Sequence, residues 1–253
     1  MNQMLIIDPA TEPLARPGIC LPRSRAFGAA SFFPTGARDR IQRIPRVEWS
    51  ARDLEHYAGP ILDQNGLNAC TAAAWCAGLQ IARARDGLNL VPLALGPLYG
   101  QINGGTDAGA PIDAGMRALQ LTGTLASDDC DPLQWRLNQL RADWRERAAD
   151  YRVDEAFDLD GIDDVGTALE LGDPIVAGIN WGRGAHAICI IGKKPDADGY
   201  LFHFQNSWGR DWGERGFAWM RERDIKGLET YGAFAIRNAT VARGDPAPPR
   251  PRR

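Results

Sequence analysis

The order of hydrophobic and polar positions predicts helices in the first half of the chain and strands in the second. Between Cys70 and Arg85, apolar residues recur at three- and four-residue spacing, and several alanines favour a helix. The same criteria predict further helices at 113–121, 133–149 and 163–170. Apolar, partly alternating runs predict strands at 175–179, 185–192, 200–205, 217–220 and 231–236. Helices followed by an antiparallel sheet indicate an α+β fold.

The two ends of the chain lack this periodicity. Residues 1–44 are rich in proline, glycine and arginine, which predicts an irregular leader. Residues 238–253 end in a stretch of proline and arginine and are predicted to be a disordered tail. The regular structure is therefore expected between about residue 45 and residue 237.

Composition narrows the classes of function. The 253 residues suffice for one large domain or two modest lobes, and 44% of them are hydrophobic. A net charge of −3 gives no case for nucleic-acid binding, and no apolar run approaches the ~20 residues of a membrane helix. Five cysteines without paired spacing suggest a reducing compartment. With three histidines and no CxxC pair, we expect neither a metal site nor a cofactor.

Three separate segments supply a thiol, an imidazole and a carboxamide. Cys70 opens the predicted helix, and Gln64 precedes it by six positions. His186 lies at the start of an apolar strand, and Asn206 begins the run Asn-Ser-Trp-Gly-x-x-Trp-Gly-Glu-x-Gly. A single cysteine or histidine in such a place is more often a buried structural residue. Together and in this order, the segments contain the parts of a Cys-His-Asn nucleophilic site.

These segments resemble the papain-like cysteine peptidases, and specifically their bacterial branch. The resemblance covers about 45–237 and implies a two-lobed fold with an active-site cleft between the lobes. A helical lobe is expected at about 50–125 and an antiparallel, β-barrel-like lobe at about 126–237. The family's cysteine three positions before the nucleophile is Leu67 here, so the disulfide it usually forms is not expected.

The resemblance also implies a role for each residue. Cys70 would attack the scissile carbonyl as a thiolate and form an acyl-thioester, with His186 as general acid and base. A helix N-terminus and a neighbouring imidazolium would lower the pKa of the thiol. Asn206 would orient the imidazole, and Trp208 would cover their hydrogen bond. Gln64 would donate to the oxyanion.

The substrate is expected to be a peptide or protein. The resemblance places the second substrate subsite beside Ala185, which favours an apolar guest. Residues without a large side chain are predicted to lie along the substrate: Gly104, Gly105, Gly109, Ala110, Gly184 and Ala185. Two other functions remain open, namely a transamidase or deamidase that uses the same acyl-thioester, and a catalytically silent binding module. We expect a monomer.

The leader and the location of the protein are less determined. Residues 1–44 are either a flexible tail or surface strap, or a pro-segment that occupies the cleft until it is removed. The N-terminus lacks the basic start, apolar core and cleavage site of a secretory signal. The expected location is therefore the bacterial cytoplasm, or outside the cell after export by a signal-independent route.

Overall fold

The computed structural model of the protein describes residues 4–13, 19–23 and 41–247. The helices in these ranges are α1 (Cys70–Arg85), α2 (Leu95–Ile102), α3 (Ile112–Leu121), α4 (Trp144–Ala148), α5 (Ile162–Glu170) and α6 (Leu228–Tyr231). The strands are β1 (Ile6–Ile7), β2 (Cys20–Leu21), β3 (Arg52–Asp53), β4 (Ala110–Pro111), β5 (Val153–Asp158), β6 (Ile175–Trp181), β7 (Gly184–Asp196), β8 (Gly199–Gln205), β9 (Phe217–Arg221) and β10 (Ala233–Ala239).

Eight strands form the main sheet. Their order is β1-β9-β8-β7-β6-β10-β5, and β3 adds to β7. The pairs are antiparallel except for β1 with β9. Among the described residues the sheet stays open, with β1 and β5 at its edges, so the predicted β-barrel-like lobe is only loosely a barrel. A second, two-stranded parallel sheet joins β2 of the leader to β4.

Helix α1 is the central element of the helical side. Nearly all of its residues are buried, because strands of the main sheet and the helices α2 and α3 pack around it. Gly78 allows it to approach the sheet, since a Cβ there would lie 2.9 Å from the side chain of Ile236. The indole of Trp75 donates to the carbonyl of Ile112 at the start of α3 (2.9 Å), which ties the two helices together.

The two faces of the sheet are covered by different elements. Val176 of β6 and Ile236 of β10 pack with α1 to α3, whereas Ile175 of β6 and Ile190 of β7 pack with α5. This alternation follows from the two-residue period of a strand. None of the described helices combines the length and the apolar character needed to cross a membrane.

The predicted helix at 133–149 is wrong for most of its length. Only α4 is α-helical there, and the preceding residues form turns and a short 3₁₀ segment. The segment after Pro132 instead packs against α2, because Gly96 donates its N–H to the carbonyl of Pro132 (2.7 Å). A Cβ on Gly100 would lie 1.9 Å from the carbonyl oxygen of Trp135, so this close contact depends on glycine.

The ends of the chain also differ from the prediction. Strand β10 extends to Ala239, and Asp245 pairs with the fully buried guanidinium of Arg83 at 2.8 Å. The predicted disorder of 238–253 is therefore wrong as far as residue 247, and 248–253 lie outside the described residues. The described parts of the leader are not wholly irregular either, since they contain β1 and β2.

Candidate active site

The thiol of Cys70 lies at the first position of α1. Ala69 precedes it without a side-chain cap, so the first N–H groups of the helix have no intrahelical acceptor. Backbone N–H groups of Ala187 and Thr71, together with the Thr71 hydroxyl, interact with the sulfur. Cys70 is fully buried. Position and donors are those that a nucleophilic sulfur requires at a helix N-terminus.

The imidazole of His186 comes from β7, where it pairs with Ile179 of β6. Its Nε2 lies 2.7 Å from Oδ1 of Asn206, which also accepts the N–H of Ser207 (2.8 Å). The Nε2 therefore carries the proton in the neutral ring, which leaves Nδ1 as the basic nitrogen. Among the described residues Nδ1 has no hydrogen-bond partner. Ala185 and Ala187, on either side of His186, belong to the same buried cluster as Cys70, so β7 passes beside the start of α1 at this point.

Aromatic rings enclose the His186–Asn206 hydrogen bond. The ring of Trp208 lies 4.9 Å from that of His186, and Trp208 is 2% exposed. Trp181, at the end of β6, packs edge-on against both rings at 5.2 and 5.4 Å. We did not anticipate Trp181, although its position three residues before a Gly-x-His segment at a strand end was visible in the sequence.

Gln64 lies in the loop before α1, and hydrogen bonds connect it to Ser207, the residue after Asn206. Its backbone N–H donates to the carbonyl of Ser207 (3.0 Å), and the Ser207 hydroxyl donates to its Oε1 (2.6 Å). Its Nε2 donates to the carbonyl of Leu67 (2.5 Å). The loop turns sharply at Asn65, whose φ is 44°. These bonds hold the carboxamide of Gln64 just before α1 begins, and Ser207 is a positioning residue that the sequence analysis missed.

The leader passes through the groove between the two lobes. Cys20 of β2 pairs in parallel with Ala110 of β4. The carbonyl oxygen of Ile19 would lie 2.1 Å from a Cβ on Gly109, whose φ is +87°, so only glycine admits the leader backbone here. Beside this crossing is a cavity of about 610 Å³ that Cys20 and Ala185 help to line.

Other contacts anchor the leader on both sides of the crossing. Arg23 donates its backbone N–H to the carbonyl of Thr230 (3.1 Å), and its side chain pairs with Asp158 (2.7 Å). Upstream, the carbonyl of Pro9 accepts the N–H of Gly182 (2.7 Å) in the turn between β6 and β7. Residues 4–13 thus lie against β9 and the turn that precedes β7, the strand of His186.

Burial sets the proton states of this closed site. Desolvation raises the pKa of Cys70 to about 11, although surrounding N–H groups act in the opposite direction. Desolvation also lowers the pKa of His186 to about 4, against the hydrogen bond to Asn206. A neutral thiol and a neutral imidazole are therefore favoured, whereas the sequence analysis expected a thiolate–imidazolium pair. The difference arises because desolvation has the largest effect on both groups, and it cannot be inferred from a sequence motif.

The predicted substrate-contact residues lie in two places. Gly109 and Ala110 contact the leader, and Gly184 and Ala185 line the adjoining cavity. Gly104 and Gly105 form an exposed turn, and no atom approaches within 4 Å of a Cβ built on either. Four of the six positions are thus gathered around one groove, while contact of Gly104 and Gly105 with substrate stays a prediction.

One group of potential metal ligands lies elsewhere. Asp53, Glu55 and His203 offer ligand atoms within 4.8 Å of one another. The imidazole Nδ1 of His203 is, however, already bonded to Asp53 (3.0 Å), and its ring stacks on Trp219 at 4.3 Å. A structural pair explains these contacts, and we assign no ion to them.

Comparisons with known proteins relate this chain to cysteine proteases. A sequence profile described as "Papain family cysteine protease" matches residues 174–236, which include His186 and Asn206. The chain is similar to "Cathepsin B-like CP3" of Giardia intestinalis, with 28% identity over 196 residues. That alignment covers 65% of this chain and 65% of the relative, so the chain spans slightly less than two thirds of its length.

Solved structures share the fold of this chain. Xylellain, a cysteine protease from Xylella fastidiosa, is 20% identical with a TM-score of 0.69, covering 90% of this chain and 99% of that chain. Digestive procathepsin L 3 of Tenebrio molitor is 16% identical with a TM-score of 0.61, covering 79% and 76%. At this level of identity, the likeness to these structures establishes the fold.

Proposed function

We propose that this chain, which belongs to the papain-like cysteine peptidases, hydrolyses peptide bonds through an acyl-thioester on Cys70. The observation that carries the proposal is the hydrogen bond between His186 Nε2 and Asn206 Oδ1 (2.7 Å), next to a thiol at the start of α1. This bond assigns the tautomer, and it leaves Nδ1 as the base toward the thiol.

The proposed reaction proceeds in two steps. Cys70, having given its proton to His186 Nδ1, attacks the scissile carbonyl, and the imidazolium then protonates the leaving amine. Water, deprotonated by the same nitrogen, attacks the thioester and restores the thiol. The carboxamide of Gln64 and the backbone N–H of Cys70 would stabilise the oxyanion in both steps. Trp208 and Trp181 keep water from the His186–Asn206 bond.

We further propose that the leader keeps the enzyme latent. Strand β2 uses the backbone of β4, and the Cys20 side chain lies 3.0 Å from where a Cβ on Gly178 would be. Ile112 and Tyr231 border the same Gly178 position. When β2 leaves, this small, largely apolar slot becomes available, which supports a small apolar side chain as the substrate residue held there.

Peptide hydrolysis by the purified full-length chain tests the proposed function. The wild type, Cys70→Ala and Cys130→Ala are incubated with an unstructured protein under reducing conditions, and the fragments are identified by mass spectrometry. We expect cleavage by the wild type and by Cys130→Ala, but none by Cys70→Ala. Cys130 serves as the matched control because it is a partly exposed thiol outside the site.

The same experiment also tests latency. It includes Cys20→Glu, a variant designed to displace β2 from β4, which we expect to cleave faster than the wild type. Cleaved peptides with a new carboxylate, labelled in ¹⁸O water, indicate hydrolysis. Transfer to an added amine without ¹⁸O uptake would instead indicate a transamidase. A folded Cys20→Glu protein that neither cleaves nor transfers would overturn the proposal in favour of a silent binding module.

A further inference from the structure

We propose that Cys20 of the leader and Cys70 form a reversible disulfide, so that oxidation fastens the leader into the cleft. This proposal rests on the proposed function only for its consequence, the loss of peptidase activity. The bond itself follows from the placement of two thiols. It would make the Cys20–Cys70 pair a redox modification site within the active centre.

Both sulfurs lie beside the same hydroxyl. The Thr71 hydroxyl donates to the carbonyl of Ala110 (2.8 Å), the residue that pairs with Cys20 across β2 and β4. The same hydroxyl interacts with the Cys20 sulfur and with the Cys70 sulfur. On the helical side of the groove, one hydroxyl thus acts to lower the pKa of both thiols.

On the opposite side of the groove, β6 and β7 also place the two sulfurs close to each other. Gly178 and Ala187 are direct partners in the β6–β7 pairing. The Cys20 sulfur lies 3.0 Å from the Cβ position of Gly178, while the backbone of Ala187 lies close enough to Cys70 to act on the pKa of its thiol. Each sulfur is therefore near one residue of a directly paired couple on β6 and β7. The two cysteines also belong to one buried cluster.

Cys20 differs from the other free thiols in this respect. Cys76 and Cys189 are fully buried structural thiols, and Cys76 points at the carbonyl of Ala94. Cys130 lies in a loop beside α4 and is partly exposed. Of the four thiols other than Cys70, all within described residues, Cys20 alone belongs to a segment that must leave if substrate is to enter. Only its covalent capture would change access to the nucleophile.

A peroxide supplies the oxidant, and the step balances in two parts. When the leader is displaced, the Cys70 thiolate attacks hydrogen peroxide, which yields the sulfenic acid and hydroxide. When the leader returns, the Cys20 thiol attacks the sulfenic sulfur and expels water, so two thiols and one peroxide give one disulfide and two waters. A dithiol reductant reverses the bond by exchange. The disulfide also prevents irreversible oxidation of Cys70.

Peptide mapping of the full-length protein tests the bond without reference to activity. Reduced wild type is treated with hydrogen peroxide, blocked with iodoacetamide, digested without reductant and examined by mass spectrometry. We expect a Cys20–Cys70 cross-linked peptide that disappears with dithiothreitol. The Cys130→Ser variant should give the same cross-link. In Cys20→Ser, Cys70 should proceed to sulfinic acid at least about tenfold faster than in the wild type, since a positioned second thiol is missing.

The outcomes separate this proposal from the proposed function. Equal rates of Cys70 sulfinic acid formation in the wild type and Cys20→Ser, with no cross-linked peptide, would overturn the disulfide even if the reduced enzyme cleaves protein. A cross-link in a protein that shows no hydrolysis in any arm would support the disulfide and refute the peptidase. Cys20→Ala serves as a second variant if Cys20→Ser does not fold.

Discussion

Opening the leader by a single substitution should expose Cys70 to alkylation. Cys20 is 2% exposed and contacts the Gly178 position, whereas its neighbour Leu21 is 36% exposed. A glutamate at position 20 places a carboxylate in a buried slot near Asp113, which already acts electrostatically on Cys20. A glutamate at position 21 adds the same charge to the same strand, but in water. Cys20→Glu and Leu21→Glu therefore form a matched pair.

The expected increase in the alkylation rate of Cys70 can be calculated in two independent ways. An uncompensated buried charge costs about 3–5 kcal/mol, so Cys20→Glu should shift the leader toward its open state by about 150-fold or more. The pKa of Cys70 is raised to about 11 in the closed site. An open thiol has a pKa of about 8.5, which corresponds to roughly a 300-fold larger thiolate fraction at pH 7. Both routes predict an increase in alkylation rate of about two orders of magnitude.

Residue-resolved iodoacetamide labelling measures this rate. The wild type and the two variants are labelled between pH 5 and pH 10, quenched at set times, and the Cys70 and Cys130 peptides are quantified by mass spectrometry. In Cys20→Glu, the Cys70 profile should reach its midpoint at about pH 8.5 or lower, whereas the wild type, with a pKa of about 11, should not reach its midpoint by pH 10. Cys130 provides an internal reference whose labelling should be the same in all three proteins.

Two results would refute the reasoning. If Cys20→Glu folds and its Cys70 is alkylated at the wild-type rate, the leader does not control access to the thiol. If Leu21→Glu accelerates labelling as much as Cys20→Glu, the effect comes from charge on the strand and not from the buried slot.

Three further predictions concern catalysis, stability and pH. Gln64→Ala should lower kcat of the opened enzyme by about 10²–10³-fold with little change in KM, as steady-state kinetics would show, because one oxyanion donor is lost. Asp245→Ala should lower the free energy of unfolding in urea by about 3 kcal/mol, since the Arg83 side chain stays buried without its carboxylate; Asp198→Ala, at an exposed pair, should change it by less than about 1 kcal/mol. The pKa of His186 is lowered to about 4 in the folded protein, so the unfolded chain binds the proton first as the pH falls below about 6.5. Urea titrations should therefore show up to about 3 kcal/mol of stability lost between pH 6.5 and pH 4, a loss that His186→Gln should remove.

The sequence predicted the elements whose pattern is local. Helix α1 was predicted from Cys70 to Arg85 and is found with those bounds. The five predicted strands correspond to β6–β10, with ends that differ by a few residues. The carboxamide segment was recognisable because Asn206 and the two Trp-Gly pairs have fixed spacing. These features depend on neighbours in the chain, and a single sequence contains them.

Features that depend on distant contacts were missed. Helix α2 contains Gly96, Pro97 and Gly100, which argue against a helix, yet the glycines are required where the backbone near Trp135 packs against it. The two-residue strand β2 has no periodicity to detect, and its partner is ninety positions away along the chain. The neutral states of the Cys70 thiol and the His186 imidazole were missed for the same reason, because a motif does not show how distant segments bury it.

The closed groove also suggests why so short a strand suffices for latency. Ala110 of β4 and the preceding Gly109 offer their backbone in the two-stranded sheet that β2 completes. Without β2, this strand would have a free edge on which an extended peptide can pair. If the chain is a peptidase as proposed, the leader and the substrate compete for these same backbone groups. A short tethered segment acts at an effective concentration of the order of millimolar, whereas a free peptide substrate must bind from solution. Two paired residues, held by Arg23 on one side and by the Pro9 contact on the other, can therefore exclude substrates. A disulfide from Cys20 to Cys70 would prevent substrate from displacing the leader at any substrate concentration. Oxidation would therefore switch the site off, whereas the unlinked leader only competes with substrate.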